Sequence, residues 1–317
     1  MISIIIPTYR SAHTIAATLD SVRCQTFCDY EVLITDDESR DSTLDICRRY
    51  AKEHPEMRIS AVSIPHSGVG AARNDALARA SGEYVSFLDS DDLWMPEKLE
   101  QVAALIGRDS QADLIYHDVM FVAQDGRRWR DSSGPPPSNP YHRLLLGSNF
   151  LATTSVTVRR SCVARAGGFD CNPDFEICED YELWLRLARA GAKFAYIPAV
   201  LAEIVRTDGS LSSNVTRHMR NRLNVRRHCL KQACDECILS PAEFKRHSYR
   251  VAVMCYAAIA ADQTRQWHLI GALRAAAVAA GACFQLVLGG DWEIILQLAG
   301  AALRRMVRRL YLSRDSH

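Results

Sequence analysis

The first hundred residues alternate two apolar patterns. Ile2-Ser3-Ile4-Ile5-Ile6 is a short, branched, almost wholly apolar run closed by Pro7, the signature of a strand buried on both faces of a parallel sheet. After it, Ile15, Leu19 and Val22 recur at i, i+4 and i+7, which lays one apolar stripe along a helix. The alternation continues with a predicted strand at residues 31–35, a helix at 43–53, a strand at 59–64, a helix at 69–80 and a strand at 84–88. Such spacing predicts βαβ units with right-handed crossovers and an open, mostly parallel sheet whose ligand binds beyond the carboxyl ends of the strands.

Further on, the pattern loosens. It predicts a helix at 96–106, two strand segments at 114–119 and 121–123, a turn at Asp125-Gly126, a strand at 153–158, a helix at 181–190 and two short strands ending at Val205. Residues 132–140, with Pro135-Pro136-Pro137, cannot be regular and predict a mobile loop. From about 214 the pattern is helical and Ala-rich. Residues 275–289 lack charge but fall short of the ~20 residues a bilayer span needs, so a buried helix is expected there.

Hydrophobic residues at 48% and charged residues at 24% are those of a folded globular chain, which excludes a disordered or multi-span protein. The net charge of +1 hides a strong asymmetry: residues 1–213 carry −8 and residues 214–317 carry +9. An α/β domain over 1–213 followed by a basic helical region over 214–317 is therefore expected. Near the end, Leu303, Met306, Val307 and Leu310 alternate with Arg304, Arg305, Arg308 and Arg309, a pattern that can lie on an anionic membrane surface. Eleven scattered cysteines and the lack of a long apolar N-terminal stretch predict a cytoplasmic protein with reduced thiols, peripheral at the inner face of the cytoplasmic membrane.

The acidic clusters fall where the sheet predicts a ligand edge. Asp36 and Asp37 end the second strand, and Asp89, Asp91 and Asp92 end the fourth. Packed carboxylates repel one another unless a cation joins them, and their hard oxygens suit Mn²⁺ or Mg²⁺ completed by substrate phosphates and water. Asp is equally favoured at helix N-termini, so capping is the competing account of each cluster. At the ligand edge Asp37 can accept the N3–H of uracil or thymine, an atom cytosine lacks. Arg73 and Asn74, in the first turns of the third helix, point to the same edge and can meet a diphosphate. Glu179-Asp180 opens a later helix, either as dipole-stabilising acids or with one carboxylate as a general base.

Read in order, several segments resemble one known family. They are Ile4-Ile5-Ile6-Pro7-Thr8-Tyr9, Gln25-Thr26-Phe27, Asp36-Asp37, Ala71-Ala72-Arg73-Asn74, Phe87-Leu88-Asp89-Ser90-Asp91-Asp92, Pro96-Glu97-Lys98-Leu99, Gly167-Gly168-Phe169-Asp170 and Glu179-Asp180. The set is similar to the bacterial family two glycosyltransferases of GT-A fold, over roughly residues 1–213. The resemblance implies inverting, metal-dependent transfer of a sugar from a nucleoside-diphosphate donor, first of all a UDP-sugar, bound by residues 1–106. The acceptor, a glycan or lipid-linked hydroxyl in surface polysaccharide or lipopolysaccharide synthesis, would meet residues 107–213. It further implies Pro7, Thr8, Tyr9, Asp37, Arg73 and Asp89 at the nucleotide, Asp89, Asp91 and Asp92 at the metal, and Asp180 as catalytic base. No nucleic-acid partner is implied.

Three positions depart from the family pattern. Arg10 stands where Asn is usual, and Glu38 where Gly is common, so Glu38 is expected to avoid the left-handed conformation. Before Gly209-Ser210-Leu211-Ser212 there is no His, which leaves Arg206 as the candidate diphosphate contact. Two rival classes remain. One is a non-catalytic nucleotide-sugar-binding partner in a polysaccharide assembly complex. The other is a sugar-1-phosphate nucleotidyltransferase, which wants a Gly-rich loop where Pro7-Thr8-Tyr9-Arg10 stands.

Overall fold

In the computed structural model the described residues are 1–147, 149–205, 214–265 and 276–283. β1 (Ile2–Thr8), β2 (Tyr30–Asp36), β3 (Ile59–Ser63) and β4 (Tyr84–Phe87) are parallel in the order β3-β2-β1-β4. The crossovers are α1 (Ile15–Arg23), α2 (Thr43–Glu53) and α3 (Val69–Arg79). Every residue of β1 is buried, as its branched run requires for a central strand. Pro7 does not end it: β1 continues to Thr8, opposite Asp36, because pairing with β4 has stopped at Ile5 opposite Phe87 and no partner on that side needs a Pro7 N–H. Ile15, Leu19 and Val22 of α1 are fully buried against this sheet, along with Ile4 and Ile6.

The later elements turn the sheet mixed. β5 (Leu93–Trp94), α4 (Lys98–Arg108), β6 (Leu114–Val122), β7 (Arg128–Asp131), α5 (Pro140–His142), β8 (Thr157–Arg159), α6 (Arg160–Arg165), α7 (Glu179–Arg189) and β9 (Phe194–Val205) follow in turn. β8 lies antiparallel between β4 and β6, β9 runs parallel to β6, and β5 and β7 pair antiparallel with β9 and β6. Gln25, at the end of α1, ties this half to the first: its amide donates to Met95 O at 2.8 Å and accepts from Leu99 N at 3.0 Å.

Here the sequence pattern misplaces several boundaries. Residues 114–122 are one strand rather than two, and 194–205 are likewise one strand, which passes Pro198 through a register shift against β6. The expected strand at 153–158 is instead a 3₁₀ turn, Thr153–Ser155, ahead of β8. Residues 132–139 are irregular, as expected, but tethered at their start: the buried Asp118 carboxylate accepts from Ser133 N at 2.9 Å, and Tyr116 OH donates to Gly134 O at 2.9 Å. Glu38 reverses its expectation, with φ of 58°. Its carboxylate accepts from His66 N at 3.2 Å, and Ser39 N donates to Asp36 at 2.9 Å, so local hydrogen bonds offset the strain that Gly would avoid. Arg10 is also left-handed, at 53°, its N–H donating to Ser39 Oγ at 2.8 Å.

Lys98 is a buried amine that meets no carboxylate among the described residues. It is 0% exposed, donates to Thr157 Oγ1 at 3.2 Å and sits 3.7 Å above the Trp94 ring, and burial holds its amine well below the usual lysine range. The unfolded chain therefore binds a proton that the folded one resists, so this residue costs stability that returns only as pH rises toward the ordinary lysine value. Lys98→Met should raise the unfolding midpoint at neutral pH by a few degrees, as removal of a buried charge worth about 1 kcal/mol or more would do. The gain should shrink as pH approaches about 10; thermal scans across pH that show a pH-independent loss would refute this account.

The chain divides into two compact units, Met1–Ser213 and Asn214–His317. In the second, α8 (Val215–Asp235) packs on α9 (Pro241–Arg265) through Leu223, Cys229, Leu230 and other buried positions. Among the described residues no helix is long and apolar enough to cross a membrane. Arg206, the Gly-Ser-Leu-Ser segment, residues 275 and 284–289 and the basic stripe at 304–309 lie outside the described residues. Residues 276–283 are helical but not the buried helix expected: Ala279 and Ala282 are buried while Val278 and most of their neighbours are exposed.

Candidate active site

The ends of β1, β2 and β4 meet at one edge, as parallel strands sharing a register must. Thr8 is buried and donates to Asp36 at 3.1 Å, while Asp37 N donates to Thr8 O at 2.9 Å. Asp36 is thus a brace, its second oxygen held by Ser39 N. Asp37 is 3% exposed and holds the loop entering α3, accepting from Ser67 N at 2.7 Å and Gly68 N at 3.0 Å. Gly68, with φ of 89°, turns that loop so that both N–H groups face one carboxylate. Tyr9 is 40% exposed just beyond, stacked on His66 with ring centroids 4.8 Å apart.

After β4 the chain makes the Asp89-Ser90-Asp91-Asp92 turn. Thr18 of α1 clamps it by donating to Ser90 O and Asp92 O, both at 3.0 Å. The three carboxylates part ways. Asp89 is met by Arg73 at 2.7 Å. Asp92 points inward onto the Thr154 hydroxyl, and burial with the charges of Asp89 and Asp91 raises its pKa well above the usual range. Asp91 is half-buried, and burial reinforced by Asp89 lifts it to about 6. Among the described residues no three His, Cys, Asp or Glu side chains are arranged to hold a metal. The donor set nevertheless suits one: the charge of Asp89, which adds to burial in raising Asp91, is what a divalent cation held by these two hard carboxylates would relieve.

Arg73 joins this turn to the start of α7. Arg73 is 3% exposed and its guanidinium bridges Asp89 and Glu179, leaving Nε without a hydrogen-bond partner among the described residues. Burial opposes its charge, but Asp89, Glu179 and Asp180 outweigh burial and raise it above the ordinary arginine value. Glu179 is 4% exposed, and burial lifts it to about 7 against the pull of Arg73. Asp180, one residue on, is half-buried. Thr153 Oγ1 donates to its Oδ2 at 2.6 Å and Tyr181 N to its Oδ1 at 2.6 Å, and burial raises its carboxyl. Behind the pair Trp184 is fully buried, with Phe87 at 5.8 Å and Phe169 at 6.5 Å between ring centroids, so α7 cannot shift without disturbing an aromatic core.

A cavity of about 210 Å³ opens beside these groups, lined by His66, Gly68, Gly70, Asp170, Asn172 and Glu179 among others. A Cβ on Gly70 would stand 3.3 Å from Asp170 O, so the bare backbone keeps the α3 N-terminus close to the loop that precedes α7.

The expected site residues Pro7, Thr8, Tyr9, Asp37, Arg73, Asp89, Asp91, Asp92 and Asp180 therefore gather along one edge of the sheet, with Thr8, Asp37, Arg73 and Asp92 buried in the framework. Sequence reasoning missed Thr153 and Thr154. Adjacent in the chain, they hold Asp180 and Asp92, and a Thr pair read as strand carries no signal of that. It also passed over His66, whose ring lines the cavity and stacks on Tyr9.

The curled α/β sheet, with carboxylates at its strand ends and a helix-borne acid facing them, defines a GT-A glycosyltransferase. Residues 3–165 match the family model described as glycosyl transferase family 2, and the chain belongs to that family. It is 33% identical over 215 residues, 68% of this chain and 82% of the relative, to the putative teichuronic acid biosynthesis glycosyltransferase TuaG of Bacillus subtilis. It is 29% identical over 230 residues, 71% and 85% of the two chains, to an Escherichia coli enzyme named UDP-Glc:alpha-D-GlcNAc-diphosphoundecaprenol beta-1,3-glucosyltransferase, WfgD. Among solved structures, S. aureus TarS in complex with UDP matches with a TM-score of 0.54 at 21% identity, covering 86% of this chain and 88% of that one. The Pyrobaculum calidifontis mannosyltransferase PcManGT, in complex with GDP-Man and Mn²⁺, matches with 0.58 at 22%, covering 92% and 79%. At those identities the structural matches show the fold.

Proposed function

We propose that the chain transfers a sugar, with inversion, from a UDP-sugar to a hydroxyl of a glycan or lipid-linked acceptor in bacterial surface polysaccharide or lipopolysaccharide synthesis. The observation that carries this is the Arg73 bridge, which draws the Asp89 turn and the Glu179-Asp180 pair to one place. The relatives support it: one is named for teichuronic acid synthesis, another for a UDP-Glc donor and a diphosphoundecaprenol acceptor.

In this reading Asp180 takes the acceptor hydroxyl proton as that oxygen bonds to the anomeric carbon, while the bond from that carbon to the diphosphate oxygen breaks and its electron pair leaves with UDP. Burial makes Asp180 a stronger base than an exposed carboxylate, and Thr153 fixes its orientation. Mn²⁺ or Mg²⁺ held by Asp89 and Asp91 would neutralise the leaving diphosphate. Arg73 keeps Asp89 and Glu179 in place, and Tyr9 offers an exposed ring to the base. The +9 charge of residues 214–317 supports a cytoplasmic protein held peripherally at an anionic membrane face, where a lipid-linked acceptor would lie.

Thermal unfolding with UDP, dTDP, GDP and CMP, each with and without Mn²⁺, tests the donor class. UDP with Mn²⁺ at ~100 times its dissociation constant should add roughly 2.7 kcal/mol and raise the midpoint by several degrees. No shift with any nucleotide would overturn the proposal.

A further inference from the structure

Helix α8 carries its charge in an order that folding does not require. Leu223, Val225, Cys229, Leu230 and Ala233 form its buried side, which packs against α9. Between residues 215 and 231 every exposed position is Arg, Lys or His: Arg217, Arg220, Arg227, His228 and Lys231. Arg217, Arg220, Arg227 and Lys231 follow one another at three, seven and four residues, steps that return to the same side of a helix. The stripe they make runs about 20 Å at ~1.5 Å per residue. No acid interrupts it, since the first Asp or Glu of α8 is Asp235, its last residue.

Such an order works against the isolated fold. Arg217 with Arg220 and Arg227 with Lys231 are like charges at i+3 and i+4, and the cations at the N-terminal end oppose the helix dipole with no acid in the first turn to offset them. Soluble surfaces usually interleave both signs, yet among the described residues Arg220, Arg227 and Lys231 make no ion pair. The basic character is local, because residues 1–213 carry −8. We propose that this stripe of α8 docks the protein on an anionic lipid bilayer through headgroup phosphates. The proposal rests on the peripheral-membrane reading above and gives it a surface. Docking here is adsorption rather than insertion, for the exposed positions of the stripe hold no apolar side chain. A straight row of long, flexible cations meets a plane of phosphates along its whole length, whereas a compact anion would touch one or two. The attraction acts within a Debye length, about 8 Å at physiological salt.

Co-sedimentation of the full chain with vesicles tests this. With phosphatidylcholine containing about a third phosphatidylglycerol, the wild type should pellet at low salt and be released at about 0.5 M salt; with phosphatidylcholine alone it should stay in solution. Arg220→Gln, Arg227→Gln and Lys231→Gln together should lower the partition coefficient by about 10²-fold, at about fivefold per cation near the surface, with an unfolding midpoint no lower than that of wild type and an unchanged UDP-dependent shift. Arg48→Gln, Arg49→Gln and Lys52→Gln remove the same charge from exposed positions of α2 and should leave binding within about twofold of wild type. Equal losses in the two triple variants would mean that net charge alone acts, and the inference fails. If the α8 variant binds as wild type does while Arg304→Gln, Arg305→Gln, Arg308→Gln and Arg309→Gln together abolish binding, the inference fails and the peripheral reading stands. Preference of the wild type for an RNA duplex over the anionic vesicles at equal phosphate would mark a nucleic-acid face and overturn the inference. Failure to pellet with either vesicle would overturn the inference and the peripheral reading together, leaving sugar transfer to be judged by the nucleotide shift.

Discussion

Asp180→Asn should lower kcat by about 10² to 10⁴, the usual contribution of a positioned general base, with UDP affinity and unfolding midpoint near those of wild type. The choice between the two adjacent acids rests on access. Glu179 is 4% exposed, one oxygen is tied to Arg73 and the other is sealed with no hydrogen-bond partner among the described residues. Asp180 is only half-buried, and its two hydrogen bonds, from Thr153 and Tyr181, leave lone pairs on both oxygens. An amide is the same shape and can still accept from one of these donors, so the structural cost is small while proton uptake is lost. In the wild type, turnover should fall as acid protonates Asp180, beginning at higher pH than for an ordinary aspartate because burial raises it. Single-turnover and steady-state assays with a matched acceptor decide the matter. Near-normal turnover in the variant would refute the assignment.

The second large effect is on stability. Arg73→Met leaves Asp89 and Glu179 buried or half-buried without their cation, and removing one partner of a buried pair costs about 3 to 5 kcal/mol. The loss should depend on pH in a definite sense. Glu179 already stands at about 7, above its ordinary 4.5, so its contribution is fully present below 4.5 and fades as pH rises through 7. Without Arg73 its carboxyl rises further and the fading extends to higher pH. Denaturant unfolding should therefore show the variant closest to wild type near pH 5 and furthest from it near pH 8, both values being approximate edges of the titration. A deficit independent of pH would mean that the guanidinium acts by packing against Phe169, 5.2 Å away, rather than by charge.

Much of the first hundred residues was legible because each element there obeys a single local rule. The Ile2–Thr8 run is apolar throughout because both of its faces are covered, and Ile15, Leu19 and Val22 mark one helix face. The second half resisted because its strands answer to neighbours distant in sequence: β8 is three residues long and exists only between β4 and β6. The acids of the site could be picked out as clusters at predicted strand ends, but not their partition. Only the folded chain shows Asp92 facing Thr154, Asp89 met by Arg73 and Asp37 turned to a loop. Glu38 failed because a single-residue preference near 1 kcal/mol was overridden by two hydrogen bonds that no local pattern encodes.

Thr153 and Thr154 carry a consequence of their own. One grips Asp180 at the start of α7 and the other Asp92 in the turn after β4, so two neighbouring hydroxyls, on Cα atoms about 3.8 Å apart, couple these two acids through one peptide unit. A movement of either acid is thereby felt by the other through a linkage one residue long, built of two small alcohols.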